Sequence, residues 1–215
     1  MLVIFDCDGV LVDSEPLSNA CFARALQREG LDWTVDETMR RLMGRSMKSC
    51  VEIVEGLLGR KLSADFVERL QMETLQIFRE APLKSVAGVA DAIDAIEAKG
   101  ARTCIASSGG FDKMDVSLAV TGLRDRFEGR IFSASQVKRG KPFPDLFLHA
   151  AIAMNEQPFA SVVVEDSVPG VQAAKSAGMR VFGYVGAPHT DRDAMRAAGA
   201  VLFDDMRKLP ELVGQ

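Results

Sequence analysis

At 215 residues, 47% of them hydrophobic and 26% charged, the chain can bury a sizeable core, as one large domain or as one domain carrying a smaller insert. Its 26 Lys and Arg against 30 Asp and Glu give a formal net charge of -4. No basic run could track a phosphate backbone, which sets nucleic acid and anionic membrane surfaces aside as expected partners. Cys7, Cys21, Cys50 and Cys104 lie far apart without a CxxC pair, so a disulfide framework and a zinc site are not expected and the thiols read as packed and reduced. The apolar run 2–5 is too short, and too soon followed by acids, for a signal peptide or a membrane span; a cytoplasmic location is the expectation.

In chain order, that run is the first of six short apolar, β-branched stretches that read as strands, at 2–5, 102–106, 130–132, 161–164, 180–184 and 200–203. Amphipathic stretches at 89–99, 113–121, 144–154 and 168–177 lie between them, with Gly100, Gly122 and Gly178 placed as helix stops. The alternation predicts an α/β fold, a doubly wound parallel sheet covered on both faces. From 15 to 81 the pattern is helical throughout, so the expected organisation is an α/β core at 1–14 and 82–215 with a helical insert at 15–81. Four helices are predicted inside it, at 16–29, 35–42, 48–58 and one capped by Ser63 that runs to 79. Its hinges are expected near Asp13-Ser14 and Ala81-Pro82.

Four loops carry the chemistry. The first strand ends in Asp6-Cys7-Asp8-Gly9, two carboxylates two residues apart at the carboxyl end of a strand, where open α/β sheets form their ligand crevice. One acid could attack while the other moves protons; a polar turn is the competing reading of an isolated DxDG. The second strand runs into Ala106-Ser107-Ser108-Gly109, whose hydroxyls and backbone N–H groups could cradle phosphate oxygens or merely cap a helix. In Lys141-Pro142-Phe143-Pro144-Asp145 a lysine precedes two prolines that stiffen the loop. The fourth strand ends in Glu165-Asp166-Ser167, a second acid pair that also suits a helix N-cap. Acid pair, hydroxyl, lysine and acid pair, in that order and each at a strand end, are far more specific together than apart.

Those residues, with Val10 to Glu15 completing DxDGxxxDSE, resemble the phosphatases of the haloacid dehalogenase (HAD) superfamily, and the likeness covers nearly the whole chain. The helical insert directly after the first motif is similar to a cap found in the β-phosphoglucomutase branch. Residues 149–155, 165–170 and 177–179 look most like bacterial phosphatases of hexose phosphates and phosphogluconate. The resemblance implies a Rossmann-like core and a magnesium-dependent (Mg2+) phosphohydrolase acting on a small phosphorylated metabolite through a phosphoaspartyl intermediate. It makes Asp6 the nucleophile, Asp8 the general acid and base, Ser107, Ser108 and Lys141 phosphate binders, and Glu165 and Asp166, with Asp6 and Asp8, the metal site. Magnesium and Lys141 would screen the repulsion between carboxylate and phosphate, and the expected set of metal oxygens is drawn from Asp6, the Asp8 carbonyl and Asp166.

Three rival readings follow from the same motifs. A phosphate-accepting receiver domain has no need of the insert, and an acid at Asp8 would hasten loss of its phosphoryl group. Dehalogenases similar to this chain lack the acid at that position. Mutases of the β-phosphoglucomutase branch carry a histidine where this chain has Ser18, and His149 and His189 both fall outside the insert, where a helix surface and a loop are their expected places. Within the insert, the loop 44–48 is the expected reach into the site, with Arg45 and Lys48 available to a second anionic group of the substrate. A monomer or weak homo-oligomer is expected.

Overall fold

The computed structural model describes residues 1–42, 47–188 and 190–214; Arg45 and His189 lie outside them. Six strands, β1 (Leu2–Phe5), β2 (Arg102–Ser107), β3 (Ile131–Ser133), β4 (Ser161–Glu165), β5 (Arg180–Tyr184) and β6 (Val201–Phe203), form one sheet. Their order is β3-β2-β1-β4-β5-β6, and every neighbouring pair is parallel. The strands read as continuous apolar runs because both faces are covered. Val3 and Phe5 point to one face, packing with Ile93, Met114 and Leu118, while Leu2 and Ile4 point to the other, with Leu146, Phe147 and Val171. The first face is covered by α5 (Val89–Ala98), α6 (Phe111–Val120) and α10 (Leu209–Val213), the second by α7 (Asp145–Ala153), α8 (Val168–Ser176) and α9 (Arg192–Ala197). Both β2 and β4 run one residue further than expected, because Ser107 pairs with Ser133 and Glu165 with Gly183. Ser107 and Glu165 are thus the last residues of their strands, not the first of their loops. Correspondingly, β3 starts at Ile131 and α6 two residues earlier than predicted, which places Lys113 in its first turn.

Among the described residues between β1 and α5, the regular elements are four helices: α1 (Glu15–Arg28), α2 (Val35–Leu42), α3 (Met47–Leu58) and α4 (Phe66–Glu80). They bury a hydrophobic cluster of their own around Cys21, Phe22, Leu26, Leu42, Val54, Phe66 and Leu70, with the Phe22 and Phe66 rings 6.4 Å apart. The segment leaves and rejoins the core side by side: the Asp13 N–H donates to the Lys84 carbonyl at 3.0 Å and the Val86 N–H to the Leu11 carbonyl at 2.9 Å. Ser63 does not cap α4. Its carbonyl accepts the Phe66 N–H in a turn and its hydroxyl bonds Arg69, so the helix begins later, after Asp65. His149 is not a free surface residue on α7 either, since its ring meets Phe132 edge-on with the centroids 5.6 Å apart. Among the described residues no helix is long and apolar enough to cross a membrane.

Candidate active site

Strands β3-β2-β1 run outward one way and β4-β5-β6 the other, so the order reverses between β1 and β4. A parallel sheet opens a crevice at such a reversal, outside the carboxyl ends of the strands. Asp6 follows β1 and Glu165 ends β4, and the Asp6 N–H prolongs the ladder by donating to the Val164 carbonyl at 2.9 Å. The chain then turns sharply: the Leu11 and Val12 N–H groups both donate to the Cys7 carbonyl and the Gly9 N–H to the Val12 carbonyl. Gly9 adopts φ +75°, and a Cβ there would stand 1.9 Å from Asp166 Oδ2. Only glycine meets both demands, a left-handed backbone and a carboxylate pressed against it.

Lys141 reaches into this crevice from the loop after β3, joined to Pro142 by a cis peptide bond. Its side chain is only 4% exposed; Nζ lies 2.9 Å from Asp6 Oδ1 and donates to Glu165 Oε1 at 2.5 Å. The ammonium also sits over the Phe147 ring, 5.1 Å from its centroid, a cation–π contact strengthened by desolvation. Glu165 is fully buried. Its Oε2 accepts from the Asp166 N–H, the Ser167 N–H and the Ser167 hydroxyl, and its carboxylate fills the space over Gly170, where a Cβ would approach Glu165 Cδ to 1.9 Å. Ser167 is the N-cap of α8, accepting from the Gly170 N–H at 3.2 Å. The capping reading of that loop therefore holds for Ser167, while the acids before it turn inward.

Among the described residues, one oxygen each from Asp6, Glu165 and Asp166 lie within 4.8 Å of one another. Burial raises the Asp6 carboxyl, Lys141 opposes it, and Glu165 and Asp8 add to the rise, leaving it at about 7. Burial also pushes Asp166 well up, reinforced by the charges of Glu165 and Asp6. For Lys141, burial opposes the charged form, but Asp6 and Glu165 outweigh it and hold the amine protonated. Three crowded carboxylates facing one ammonium are short of positive charge, and their donors are hard oxygens. That donor set fits a magnesium-like cation, which takes oxygen ligands and keeps several waters. Glu165 already spends both oxygens on Lys141 and its own loop, whereas the Asp166 carboxylate accepts no hydrogen bond among the described residues.

Asp8 lies on the other side of Asp6. Its Oδ1 accepts from the Ser14 hydroxyl at 2.5 Å and pairs with Lys113 Nζ at 2.9 Å. Burial raises its carboxyl, but Lys113 and then Ser14 outweigh that, and the net shift is downward. Ser107 is buried, its hydroxyl accepting from the Gly109 N–H at 3.1 Å, and the loop is braced by the Ser133 hydroxyl donating to the Gly109 carbonyl at 2.8 Å. Ser108 and Lys48 are exposed, and neither joins the contacts that link Asp6, Asp8, Lys141, Glu165 and Asp166. Two residues here escaped the sequence reading. Ser14 belongs to the first motif and to the expected hinge, but neither assigns it a contact with Asp8, and Lys113, in the first turn of α6, gives no signal beyond lying just after the Ser-Ser-Gly-Gly loop.

Known proteins resemble this chain over nearly its whole length. The chain is 32% identical over 98% of its length to a 6-phosphogluconate phosphatase of Escherichia coli strain K12, covering 93% of that protein. It is 36% identical over 93% of its length to a phosphorylated carbohydrates phosphatase of Thermotoga maritima, covering 91% of it. Among solved structures, a Thermotoga maritima chain described as a beta-phosphoglucomutase candidate superposes with a TM-score of 0.77 at 33% identity, covering 99% of this chain and 98% of the other. A family model of the haloacid dehalogenase-like hydrolases matches residues 1–178, a span that holds the Asp6 turn, the Ser107 loop, Lys141 and the Glu165-Asp166 pair, and the chain belongs to that family.

Proposed function

We propose that the chain is a magnesium-dependent phosphomonoesterase that cleaves a small phosphorylated carbohydrate or sugar acid through a phosphoaspartyl intermediate on Asp6. The observation that carries this reading is the buried Asp6–Lys141–Glu165 array beside Asp166, with a second carboxylate, Asp8, held separately. The names of the two phosphatase relatives support the substrate class.

Asp6 attacks phosphorus and the ester P–O bond breaks, while Asp8 gives the departing oxygen a proton. In the second step Asp8 takes a proton from water, the resulting hydroxide attacks phosphorus, and the bond to the Asp6 oxygen breaks to release inorganic phosphate. In the free protein Asp8 is held ionised, ready for the second step. For the first, a dianionic phosphate arriving nearby raises its carboxyl and favours the proton it must carry. Lys141 screens Asp6 from the phosphate, Glu165 orients Lys141, and the Ser107 loop offers a hydroxyl and N–H groups to phosphate oxygens. A divalent cation held by Asp6, Asp166 and the Asp8 carbonyl would supply charge neutralisation of the transferring phosphoryl group. Residues 15–81, helices α1–α4 with the loops between them, act as a cap and carry leaving-group selection through Arg45 and Lys48.

The test is phosphate release across sugar phosphates, sugar-acid phosphates and hexitol phosphates by protein stripped with chelator. We expect no turnover until magnesium is restored, and none with calcium, whose looser and longer coordination would misplace Asp6. Equal rates with both ions, or undiminished turnover in chelator, would remove the metal from the reading.

A sugar-phosphate mutase is the second reading, favoured by the beta-phosphoglucomutase candidate among the solved structures. Ser18 weighs against it, because it stands one turn beyond Ser14 on α1 with no imidazole to restrain Asp8 until a sugar hydroxyl arrives. Incubation with β-glucose 1-phosphate, with or without its bisphosphate, is expected to yield inorganic phosphate or nothing. Stoichiometric glucose 6-phosphate would establish the mutase instead.

A further inference from the structure

Asp8 is held unequally. Both of its recorded partners, the Ser14 hydroxyl and Lys113 Nζ, converge on Oδ1. Oδ2 is left on the side of the Ser107 loop: a Cβ built on Gly109 would lie 3.5 Å from Asp8 Oδ2 and 3.5 Å from Ser107 Oγ. The clamp has a cost. Ser14 occupies the N-cap position of α1, yet its side chain makes no cap hydrogen bond, and a helix start is weaker when that bond is missing. Lys113 is fixed in turn from three directions. It contacts Asp8 from the core, feels the charge of Glu15 at the start of α1, and lies under the Phe78 ring of α4, 5.8 Å from the centroid.

We propose that Lys113 is a positioning residue for the hydrolysis reaction: with Ser14 it pins Asp8 Oδ1, so that Oδ2 alone faces the Ser107 cradle and serves as the oxygen that passes the proton to and from the phosphoryl site. Because Glu15 and Phe78 belong to the first and last helices of the insert, the aim of Asp8 depends on both being seated. The inference rests on the phosphoaspartyl reading above, and it makes a demand that the reading alone does not. Loss of Lys113 should harm only bond cleavage that needs a proton.

The experiment compares the first chemical step on two substrates, 4-nitrophenyl phosphate, whose leaving group departs without a proton, and glucose 6-phosphate, whose alkoxide needs one. Single-turnover rates are measured for wild type, Lys113→Met, Lys113→Gln and Lys113→Arg in the magnesium-loaded protein. The ratio of the two rates within one preparation is independent of the folded fraction, and the Gln variant substitutes for Met if Met folds poorly. In Lys113→Met we expect nitrophenol release within about threefold of wild type and glucose 6-phosphate cleavage slowed roughly 100-fold, within the range that general acid catalysis contributes. Lys113→Arg should restore the ratio to within about fivefold. An unchanged ratio in Met and Gln, whether both rates fall together or neither falls, overturns the positioning role and leaves the phosphoaspartyl reading standing. A wild type that forms no acid-stable phosphoenzyme overturns that reading, and the Lys113 inference falls with it.

Discussion

Replacing Asp6 with Asn is expected to lower turnover by about 10^4- to 10^6-fold, the scale on which removing a covalent nucleophile acts, while leaving the fold intact. The amide keeps the volume of the carboxyl but presents a far poorer nucleophile, and the neighbouring acids have other places: Asp8 is turned onto Ser14 and Lys113, Glu165 is locked to Lys141 and its loop, and Asp166 is pressed against Gly9. Stability should move the other way. Burial, with the charges of Glu165 and Asp8, lifts the Asp6 carboxyl to about 7 in the metal-free protein, above its value in an unfolded chain. Between those two values the folded state binds the extra proton, so wild-type stability contributed by this group declines as pH rises from about 4 towards 7 and beyond. Asn has no such proton to lose. In chelator, urea unfolding at pH 5 and pH 8 should therefore show a smaller decline for Asp6→Asn than for wild type. Acid-quenched mass spectrometry should find a phosphoryl group on wild-type Asp6 during turnover and none on the variant. Wild-type activity in the variant would end the covalent mechanism.

How far the sequence disclosed this site depends on whether a residue's partner is close in the chain. Asp6, Ser107 and Glu165 were legible because each ends an apolar β-branched run, and a parallel sheet brings strand ends to one edge whatever the intervening length. All six strands and helices α5 to α8 are visible for the same reason, as continuous apolar runs separated by amphipathic ones, with boundaries off by one or two residues where pairing extends a strand or a turn delays a helix; the short α9 and α10, of six and five residues, carry too few turns to show such a pattern. The start of α4 was misread because Ser63 has the chemistry of a cap, yet its carbonyl is taken by Phe66 in a preceding turn. Lys113 was invisible as anything but a helix charge. Its partner Asp8 lies on another loop, and nothing in the spacing around Lys113 reports that pairing. Ser14 is similar: its place before Glu15 and Pro16 reads as a helix start, and only the structure reveals that its hydroxyl goes to Asp8 instead. That Glu165 braces Lys141 was equally hidden, since two adjacent acids at a strand end look alike in sequence and are separated only by which way each side chain turns.

That brace leads to the second large effect, on Lys141. In Lys141→Met the apolar stem is kept beside Phe147 and the charge is lost, so Asp6 faces an incoming phosphate unscreened and turnover should fall by at least about 10^2- to 10^3-fold, the effect of losing one preorganised charge-stabilising group. Stability should fall as well, because Glu165, fully buried, keeps its three loop donors but loses its ion-pair partner. Breaking a buried pair from one side costs about 3–5 kcal/mol, since the remaining charge stays buried without compensation. The double variant Lys141→Met, Glu165→Gln separates the two consequences. Removing the orphaned charge should recover most of the stability lost by the single change, as measured by urea unfolding in chelator, because both ends of the pair are then neutral and Gln can still accept from the Asp166 and Ser167 N–H groups. Activity should not return, because no cation has been restored between Asp6 and the phosphate. If the double variant is as unstable as the single one, Lys141 stabilises the fold through its pair with Asp6 or its charge over the Phe147 ring and not through Glu165. If it regains activity, the ammonium is not what screens Asp6, and the role assigned to Lys141 is wrong.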